Sequence, residues 1–397
     1  MEQLVLVLNC GSSSVKFAIL NPKTQFTHIS GLVQAIGTPE ANLKYTLNNE
    51  TVRTELPNVD HHEALQQVIT IIKSNPNIAN QLVAIGHRIV HGGEHFTASA
   101  IVTDEVIQAI RDSAILAPLH SPAHLLGIEE ALKAFPELPN VTVFDTAFHQ
   151  TMPEYAYLYA IPYELYEQHQ IRKYGFHGTS HRFVSIKAAE ILGKPLTETS
   201  LVTAHLGNGC SVTAIQNGKS IDTTMGLTPL DGLMMGTRSG EVDPNLHLHL
   251  VDNLGYDIHK VTNILNKESG VLGVSGLASD FRILEDAAEK GHKRAVLALE
   301  MFCYKLAKAI SSMAVAVLGK LDALVFTGGI GENSRVVRAK TLERLKLLGF
   351  KLDEARNQAN GKESRGVITA DNSTVAVVVP TNEELMIAID TLELINK

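Results

Sequence analysis

The feature that most constrains the fold is a pattern that occurs twice: an apolar strand, a turn of small polar residues, and a second apolar strand. The first copy is LVLVLNCGSSSVKFAIL near the N-terminus, and the second is LVTAHLGNGCSVTAIQNG at 201–218. Asn9 and Ser12 of the first copy correspond to Asn208 and Ser211 of the second, with the same three-residue spacing. Because 397 residues exceed one ordinary core, the repeat predicts two domains built from duplicated units.

Strands and helices alternate along the rest of the chain. Residues 4–8 and 15–20 are apolar enough to form buried strands, whereas 51–56 has the pattern of exposed chain. Helical periodicity occurs at 62–74 and at 103–117. Further strands are expected within 82–90, 141–148, 201–218, 323–333 and 375–384, and further helices within 283–318 and from Glu383 onward. This alternation predicts an α/β protein with mixed sheets.

Charge and cysteine content exclude several classes of function. The formal net charge is −8, from 34 basic and 42 acidic side chains, which argues against broad nucleic-acid binding because that requires a basic surface. Cys10, Cys210 and Cys303 are far apart and odd in number, so neither a disulfide framework nor a cysteine-rich zinc site is expected. The N-terminal run has the pattern of neither a signal peptide nor a membrane span. The expected location is therefore the reducing cytoplasm, without membrane attachment.

Seventeen histidines raise the question of a metal site. His247 and His249 are two residues apart, which places them on different faces of a helix, and the neighbours His61 and His62 have the same geometry. No HExxH motif is present. A structural or surface role is therefore the preferred interpretation of these four histidines.

Three turns of small residues follow apolar strands and are candidates for holding phosphate. The first, NCGSSSVK, offers backbone amides, three hydroxyl groups and Lys16, although it is not a Walker P-loop and a plain serine-rich hairpin is an equally good interpretation. The others are GNG at 207–209 and TGGIGEN at 327–333, where glycine lets the backbone approach a phosphate or a purine. Each turn alone is weak evidence for phosphate binding, but three such turns in one chain favour a nucleotide as the ligand.

Two arginines and one aspartate lie in surroundings that require a partner. Arg88 interrupts the apolar run GHRIVHGGE, and Arg238 is flanked by glycine-containing sequence in LMMGTRSGEVD. A buried guanidinium is costly unless it meets an anion. A structural ion pair satisfies it as well as an anionic ligand does, and for each arginine taken alone the ion pair is the preferred interpretation. Asp145 follows an apolar strand, where a single acid can bind a metal or pair with an arginine.

Taken together, these segments closely resemble the acetate kinase (acetokinase) family. The resemblance covers residues 9–385 and rests on NCGSSSVK, GHRIVHGGE, APLHSP, FDTAFH, YGFHGTSH, HLGNGCS, GLTPLDGLMMGTRSGEVDP, SDFR, FTGGIGENS and PTNEEL. It implies two duplicated mixed-sheet α/β domains of the actin, hexokinase and heat-shock ATPase type around a central cleft. The implied N-terminal domain is 1–148 plus 382–397, because the C-terminal helix returns to it, and 149–381 forms the nucleotide-binding domain. The family is also typically homodimeric.

The resemblance further implies roles for individual residues. Asn9 and Glu383 look like the site of Mg²⁺, with Mn²⁺ as an alternative, and Arg88 like the residue that holds the carboxylate substrate. His177 and Arg238 resemble the residues that stabilise the transferring phosphoryl group, with His120 and His205 as further candidates along its path. The implied contacts to ATP or ADP are Ser12, Ser14, Lys16, His205, Leu206, Gly207, Asn208, Gly209, Asp280, Phe281, Arg282, Gly328, Gly329, Ile330, Gly331, Glu332 and Asn333.

The implied reaction is direct, in-line transfer of the ATP γ-phosphate to acetate, giving acetyl phosphate and ADP. Such transfer depends on alignment and on neutralising the negative charge of both reactants, for which the planar fork of arginine is well suited. In the family Asp145 has a proton-transfer or metal role. A carboxylate acceptor is already ionised at neutral pH, so we favour positioning of Mg²⁺ or of Arg88 for Asp145 over proton transfer.

The implied acyl pocket is walled by Val90, Leu119, Phe176 and Pro229. A related branch that prefers propionate has a smaller residue where Val90 stands, so valine favours acetate. Two alternatives remain: a propionate or butyrate kinase of the same family, and an actin-like ATPase. The second gives no reason for His177, and it leaves Arg88 and Arg238 without an anionic acceptor.

Overall fold

The computed structural model describes residues 2–116 and 120–397, and the chain divides into two compact units. The first unit comprises Met1–Phe148 and Asn382–Lys397, and the second comprises His149–Thr381. Within the described residues, no helix has both the length and the apolar character needed to cross a membrane.

Five consecutive strands come first among the described residues, and strands and helices are interspersed along the rest of the chain. The strands are β1 (Leu4–Cys10), β2 (Ser14–Leu20), β3 (Thr27–Gln34), β4 (Asn42–Leu47), β5 (Glu50–Glu55), β6 (Leu82–Ile89), β7 (Ala100–Ile101), β8 (Asn140–Phe144), β9 (Ser200–Leu206), β10 (Cys210–Gln216), β11 (Lys219–Thr223), β12 (Ala323–Thr327) and β13 (Val375–Val378). The helices are α1 (His61–Lys73), α2 (Pro76–Ala79), α3 (Asp104–Asp112), α4 (Ser121–Ala134), α5 (Glu154–Tyr157), α6 (Glu164–His169), α7 (Gly178–Leu192), α8 (Leu246–Leu254), α9 (Ile258–Asn263), α10 (Gly270–Ser275), α11 (Phe281–Glu289), α12 (Lys293–Ala316), α13 (Gly328–Asn333), α14 (Arg335–Arg344), α15 (Glu354–Gln358) and α16 (Glu383–Ile395).

The first unit is a mixed sheet in the order β5-β4-β3-β2-β1-β6-β8-β7. The strands β1 and β2 form an antiparallel hairpin, whereas β1 pairs with β6, and β6 with β8, in parallel. The central strand β1 is almost entirely apolar and buried, as expected for a strand covered on both faces. Helix α4 packs against β1 and β6, and α16 packs against β1, β6 and β8. The carboxyl ends of β1, β6 and β8 therefore lie side by side, and the residues that follow them meet.

The second unit repeats this topology with a sheet in the order β11-β10-β9-β12-β13. Again a hairpin, here β9 and β10, supplies a first strand that pairs in parallel with a later one, here β12. Helices α7 and α12 pack against this sheet. The shared topology confirms the prediction of two duplicated mixed-sheet α/β units from the repeated strand–turn–strand pattern.

The structure ends several predicted elements earlier than the sequence suggested. The strand predicted within 323–333 stops at Thr327, because Gly328 adopts a φ of +76° and starts helix α13. The strand predicted within 375–384 stops at Val378, shortly before Pro380, which has no N–H to donate. Residues 51–56 are exposed as expected, but most of them form the edge strand β5 rather than irregular chain.

Candidate functional site

In the first unit, Arg88 and Asp145 form a two-pronged ion pair. Arg88 is near the end of β6, and Asp145 directly follows β8, so the parallel pairing of these strands brings the two side chains together. The guanidinium donates from Nε to Oδ1 at 3.1 Å and from Nη2 to Oδ2 at 2.6 Å. The Asp145 carboxylate is buried, whereas a fifth of the Arg88 side chain is exposed. Arg88 therefore has the acidic partner that the ion-pair interpretation requires, while part of its side chain remains exposed.

Other predicted residues surround this pair. Arg88 Nη1 donates to Asn9 Oδ1 at 3.4 Å, and the Glu384 carboxylate forms an ion pair with Lys16, the cross-strand neighbour of Asn9. Burial opposes the charged form of Arg88, but Asp145, Glu383 and Glu384 together outweigh that effect and raise its pKa. Arg88 is therefore a permanent cation within a group of acids.

The oxygen atoms of Asn9 and Glu383 fit a hard divalent cation. Burial raises the pKa of Glu383, and the nearby Asp145 raises it further, while Arg88 acts in the opposite direction. A cation bound beside Glu383 would favour its ionised carboxylate and so oppose the rise in its pKa. An amide oxygen and one carboxylate match Mg²⁺, which usually keeps several waters and takes few protein ligands. Among the described residues, no group of three or more His, Cys, Asp or Glu is arranged to hold a metal.

Histidines lie next to Arg88 in the same unit. Burial lowers the pKa of His87 to about 4, partly offset by its hydrogen bond with Asn140, and the His87 ring is 2% exposed. Burial lowers the pKa of His124 to about 3, and the positive charge of Arg88 and the neighbouring His120 add to the shift. The His120 and His124 ring centroids are 6.2 Å apart. The His87 and His124 rings are therefore neutral at pH 7, so neither adds positive charge beside Arg88.

In the second unit, His177 and Arg238 converge on Gly209. His177 precedes helix α7 in a left-handed backbone conformation, with φ of +57°. Its Nδ1 is 2.9 Å from Ser211 Oγ, and its Nε2 lies on the side of Gly209. A Cβ atom on residue 209 would be 3.2 Å from Arg238 Nη1 and 3.4 Å from His177 Nε2. Glycine at this position therefore leaves a space into which a histidine and an arginine both project.

Arg238 has no acidic partner among the described residues. Its Nη1 donates to the carbonyl oxygen of Pro229 at 3.1 Å and lies 3.8 Å from Met235 Sδ. Burial lowers the pKa of its guanidinium. The loop that carries it is aligned by a hydrogen bond from Gly236 N–H to the Asn208 carbonyl oxygen at 3.1 Å. In contrast to Arg88, Arg238 is a half-buried cation that no acid of the described residues neutralises, which favours an anionic ligand over a structural ion pair.

A large cavity begins at the same loop. Its volume is about 760 Å³, within the range of nucleotide and cofactor sites. It is lined by Gly207, Asn208, Ser279, Asp280, Phe281, Arg282, Glu285, Gly329, Ile330, Asn333 and Ser334. A Cβ on Gly329 would meet no atom within 4 Å, so packing does not require glycine there, whereas a ligand in the cavity would.

Comparison with known proteins agrees with this arrangement. The profile of the acetokinase family matches residues 4–389. The chain belongs to the acetokinase family. A protein named acetate kinase from Shewanella sp. strain W3-18-1 is 55% identical over 398 aligned positions, which cover 100% of this chain and 99% of that protein. Membership confirms the predicted enzyme class, a kinase whose co-substrate is ATP or ADP.

Two solved structures of the acetokinase family have the same fold. A propionate kinase from Francisella tularensis is 47% identical with a TM-score of 0.94, and the match covers 98% of this chain and 99% of that one. An acetate kinase from Porphyromonas gingivalis is 44% identical with a TM-score of 0.91, covering 99% of this chain and 100% of that one. The fold is therefore shared with family members of both names.

The predicted nucleotide-binding residues of this family member fall into three groups in the structure. Gly207, Asn208, Asp280, Phe281, Arg282, Gly329, Ile330 and Asn333 line the cavity, whereas His205, Leu206, Gly209, Gly328, Gly331 and Glu332 are not among the lining residues. Ser12, Ser14 and Lys16 belong to the first unit, where Ser12 lies in the turn after β1 and the other two lie on β2.

Glu332 and Gly328 have contacts that position the cavity. Glu332 Oε1 accepts from the N–H groups of Gly328 and Thr381, each at 3.0 Å. A Cβ on Gly328 would lie 2.7 Å from the Leu206 carbonyl oxygen, so this glycine is required by close backbone approach. These contacts hold helix α13 against the end of β9, where the cavity begins.

Sequence reasoning missed three residues of the cavity. Ser279 precedes the predicted Asp280, and Glu285 bonds to Ser334 Oγ, the hydroxyl that caps helix α14 by accepting from the Val337 N–H at 3.0 Å. A serine followed three residues later by an apolar run is a helix-cap signal, which could have placed Ser334 at a helix start. Glu285 carries no local sequence signal for the cavity.

The predicted acyl-pocket residues are distributed over the chain. Val90 is buried in the first unit, and Phe176 and Pro229 belong to the second, where the Phe176 carbonyl oxygen accepts from His149 Nε2 at 2.9 Å. Leu119 lies outside the described residues.

Proposed function

We propose that this chain transfers the γ-phosphoryl group of ATP to the carboxylate of acetate, reversibly and with Mg²⁺. The observation that carries the proposal is the space at Gly209. His177 and Arg238 project toward this space, and no acidic side chain of the described residues pairs with Arg238. The loop that contains Gly209 also lines the cavity of about 760 Å³. A nucleotide in that cavity, with its phosphates toward Gly209, would give both side chains an anion to bind.

Each residue then has an electrostatic task. Arg88, held by the Asp145 carboxylate, binds the acetate carboxylate through the exposed part of its side chain. His177 and Arg238 donate hydrogen bonds to the equatorial oxygens of the phosphoryl group, where charge spreads during transfer. His120 and His205 are candidates for further contacts along the phosphoryl path. The acetate oxygen attacks phosphorus in line as the bond to ADP breaks, so no covalent enzyme intermediate forms.

The proposed metal site consists of Asn9 and Glu383. A bound Mg²⁺ supplies charge neutralisation between the two anionic substrates. Lys16 and the hydroxyls of Ser12 and Ser14 are the proposed phosphate contacts of the first unit, which we assign as the N-terminal domain. His149–Thr381 is the proposed nucleotide domain, in which His205, Leu206, Gly209, Gly331 and Glu332 support the lining residues.

Asp145 is proposed as the positioning residue of Arg88 rather than as a base. Both of its carboxylate oxygens accept from the guanidinium, which fixes the plane of the fork. Acetate, with a pKa like that of aspartate or glutamate, is ionised at neutral pH and needs no base.

Acetate is the proposed acceptor, with propionate as the second candidate. Relatives named acetate kinase reach 55% identity, and valine at position 90 is the larger residue that the family resemblance associates with acetate. The 47% identity to a propionate kinase of known structure supports the second candidate. An apolar pocket separates one methylene by only about 1–3 kcal/mol, so propionate should react more slowly.

The proposed oligomeric state is a homodimer, and the proposed location is the cytoplasm. Leu297, Tyr304 and Val315 are exposed on helix α12, which supports a contact with a second copy. Cys10, Cys210 and Cys303 are free thiols, in keeping with a reducing compartment.

The deciding experiment traps acyl phosphate with hydroxylamine, using Mg-ATP with acetate, propionate, butyrate or no acid. Fastest product with acetate and none without acid is the expected result. Fastest product with propionate would keep the mechanism and remove Val90 from the argument. ATP hydrolysis that is indifferent to every acid would overturn the proposal in favour of an ATPase.

A further inference from the structure

Ser211 is shared by two histidines. Its Oγ is 2.9 Å from His177 Nδ1 and 2.7 Å from His181 Nε2, and the residue is fully buried on β10. In the sequence repeat it stands where the first copy has Ser12, yet it does not line the cavity. Its contacts therefore require an explanation other than nucleotide binding.

The protonation state of His181 is determined by its surroundings. Its ring is fully buried, and burial together with the nearby His149 and His205 lowers its pKa well below the usual value. His181 is therefore neutral and has one N–H group, either on Nδ1 or on Nε2. Its Nδ1 is 2.7 Å from Thr203 Oγ1, a hydroxyl that can donate or accept.

A hydroxyl has one proton, so Ser211 cannot donate to both rings. If His181 carries its proton on Nε2, it donates to Ser211, and Ser211 donates to His177 Nδ1. A neutral His177 then has its proton on Nε2, on the side of Gly209 and Arg238. If His181 carries its proton on Nδ1 instead, Ser211 donates to His181 and accepts from His177 Nδ1, which leaves a lone pair on His177 Nε2.

Only the first arrangement suits a neutral His177 that binds a phosphoryl group. An Nε2–H donates to an anionic oxygen, whereas a lone pair repels it. A doubly protonated His177 would also donate, but it would place a second positive charge beside Arg238 and against the His205 ring, whose centroid is 4.3 Å away. Ser180 Oγ lies 2.8 Å from Nδ1 of that second ring.

We propose that Ser211 is a positioning residue that accepts a hydrogen bond from His181 Nε2 and donates one to His177 Nδ1. This arrangement keeps the proton of a neutral His177 on Nε2. The inference rests on the proposed function, in which His177 binds the transferring phosphoryl group. It adds Thr203, His181 and Ser211 to the residues on which the reaction depends, none of which contacts substrate.

Nitrogen-15 NMR of histidine-labelled protein tests the tautomer directly and without turnover. In the unaltered protein at pH 7, His177 should have its proton on Nε2 and His181 should also have its proton on Nε2. A proton on Nδ1 of a neutral His177 would overturn the proposal, whatever the enzyme assay gives. This readout also separates the inference from the proposed function, which fails only if no acyl phosphate is formed.

Kinetics of Ser211→Ala provide the second test. We expect kcat to fall about 10–100-fold, within the range for losing correct positioning, with KM for ATP and acetate within about twofold. Ser220→Ala is the matched control, because Ser220 is equally buried and bonds His149 Nδ1 at 2.8 Å; its kcat should change less than about threefold. Ser211→Thr retains a hydroxyl and should keep the tautomer of His177, which covers the case in which the alanine variant does not fold.

A double variant separates positioning from a general structural role. In a His177→Ala background, Ser211→Ala should cause no further loss of kcat, because Ser211 acts through His177. An equal loss in both backgrounds would show that Ser211 supports the fold and would overturn the proposal.

Discussion

Replacing Asp145 by asparagine tests how the Arg88 cation is held. The side chain keeps its size but exchanges one acceptor oxygen for an NH2 group, so one of the two hydrogen bonds at 3.1 and 2.6 Å is lost. The lost bond leaves two donors facing each other at a buried position, since the Asp145 side chain is 2% exposed. Arg88 still has Glu383 and Glu384 nearby, so its charge is only partly uncompensated.

Two magnitudes follow from this geometry. Breaking a buried ion pair from one side costs about 3–5 kcal/mol of unfolding free energy, and the remaining acids near Arg88 favour the lower end, about 3 kcal/mol. Activity should fall about 10²–10³-fold in kcat/KM for acetate, which is the usual cost of an ill-positioned charge in a transfer reaction. KM for ATP should stay within about twofold, because the cavity residues belong to the other unit.

The assays are hydroxylamine trapping for kinetics and urea unfolding for stability, with Asp222→Asn as the control. Asp222 accepts from Lys173 Nζ at 2.7 Å, and about a fifth of each side chain is exposed. The control breaks a comparable ion pair away from Arg88, so its kcat/KM for acetate should change less than about twofold. Combining Asp145→Asn with Arg88→Ala should add little to the loss from Arg88→Ala alone, because Asp145 acts through Arg88.

Two results would refute the positioning role. If the variant removes one ionisation from the pH–rate profile and leaves acetate binding unchanged, Asp145 is a proton-transfer group. If the losses from Arg88→Ala and Asp145→Asn simply add, the ion pair does not transmit the effect.

Three further changes test other parts of the site. Gly209→Ala places a methyl group 3.2 Å from Arg238 Nη1 and should lower kcat about 10²-fold with little change in KM for acetate; wild-type kcat in the purified variant would contradict the shared space at Gly209. Val90→Ala should raise the propionate-to-acetate ratio of kcat/KM by up to about 100-fold, and an unchanged ratio would exclude Val90 as a wall of the pocket. The folded-state pKa of His87 is about 4, below an unfolded value of about 6.5. Because the unfolded chain therefore binds a proton at a higher pH than the folded chain does, stability falls as the pH drops from about 6.5 to about 4. At pH 5 the cost is about 2 kcal/mol for this residue, measurable by urea unfolding at pH 7 and 5, and an NMR titration of His87 above pH 6 would contradict it.

The sequence predicted the architecture because it rests on periodicity and repetition. The apolar runs of β1 and β9 and the turns after them are local signals, and their duplication predicts two units of the same kind. The strand β5 was missed because its residues are all exposed, so no apolar alternation marks it. Strand ends were misplaced at Gly328 because the same glycine that closes a strand can also open a helix.

The candidate site was less predictable, because its contacts link residues far apart in sequence. The pairing of Arg88 with Asp145 depends on β6 lying beside β8, and the position of Ser211 between two rings depends on β10 facing helix α7. Neither relation has a local signal. The motifs did identify most residues that line the cavity, because a glycine-rich turn after a buried strand is itself a local pattern.

Arg88 and Arg238 show how partners, rather than residue type, distinguish two roles. Both lie in sequence that makes a buried charge costly, and each arginine taken alone favours a structural ion pair over an anionic ligand. In the structure, Arg88 donates from Nε and Nη2 to Asp145, whereas the hydrogen bonds of Arg238 to the described residues go to a carbonyl oxygen and a sulfur. Removing Arg238 should therefore lower kcat about 10²–10³-fold while changing the unfolding free energy little, whereas removing Arg88 should lower both, because it leaves Asp145 buried without its partner. A loss of stability in Arg238→Ala as large as that in Arg88→Ala would mean that the Arg238 charge serves the fold and not an anionic ligand.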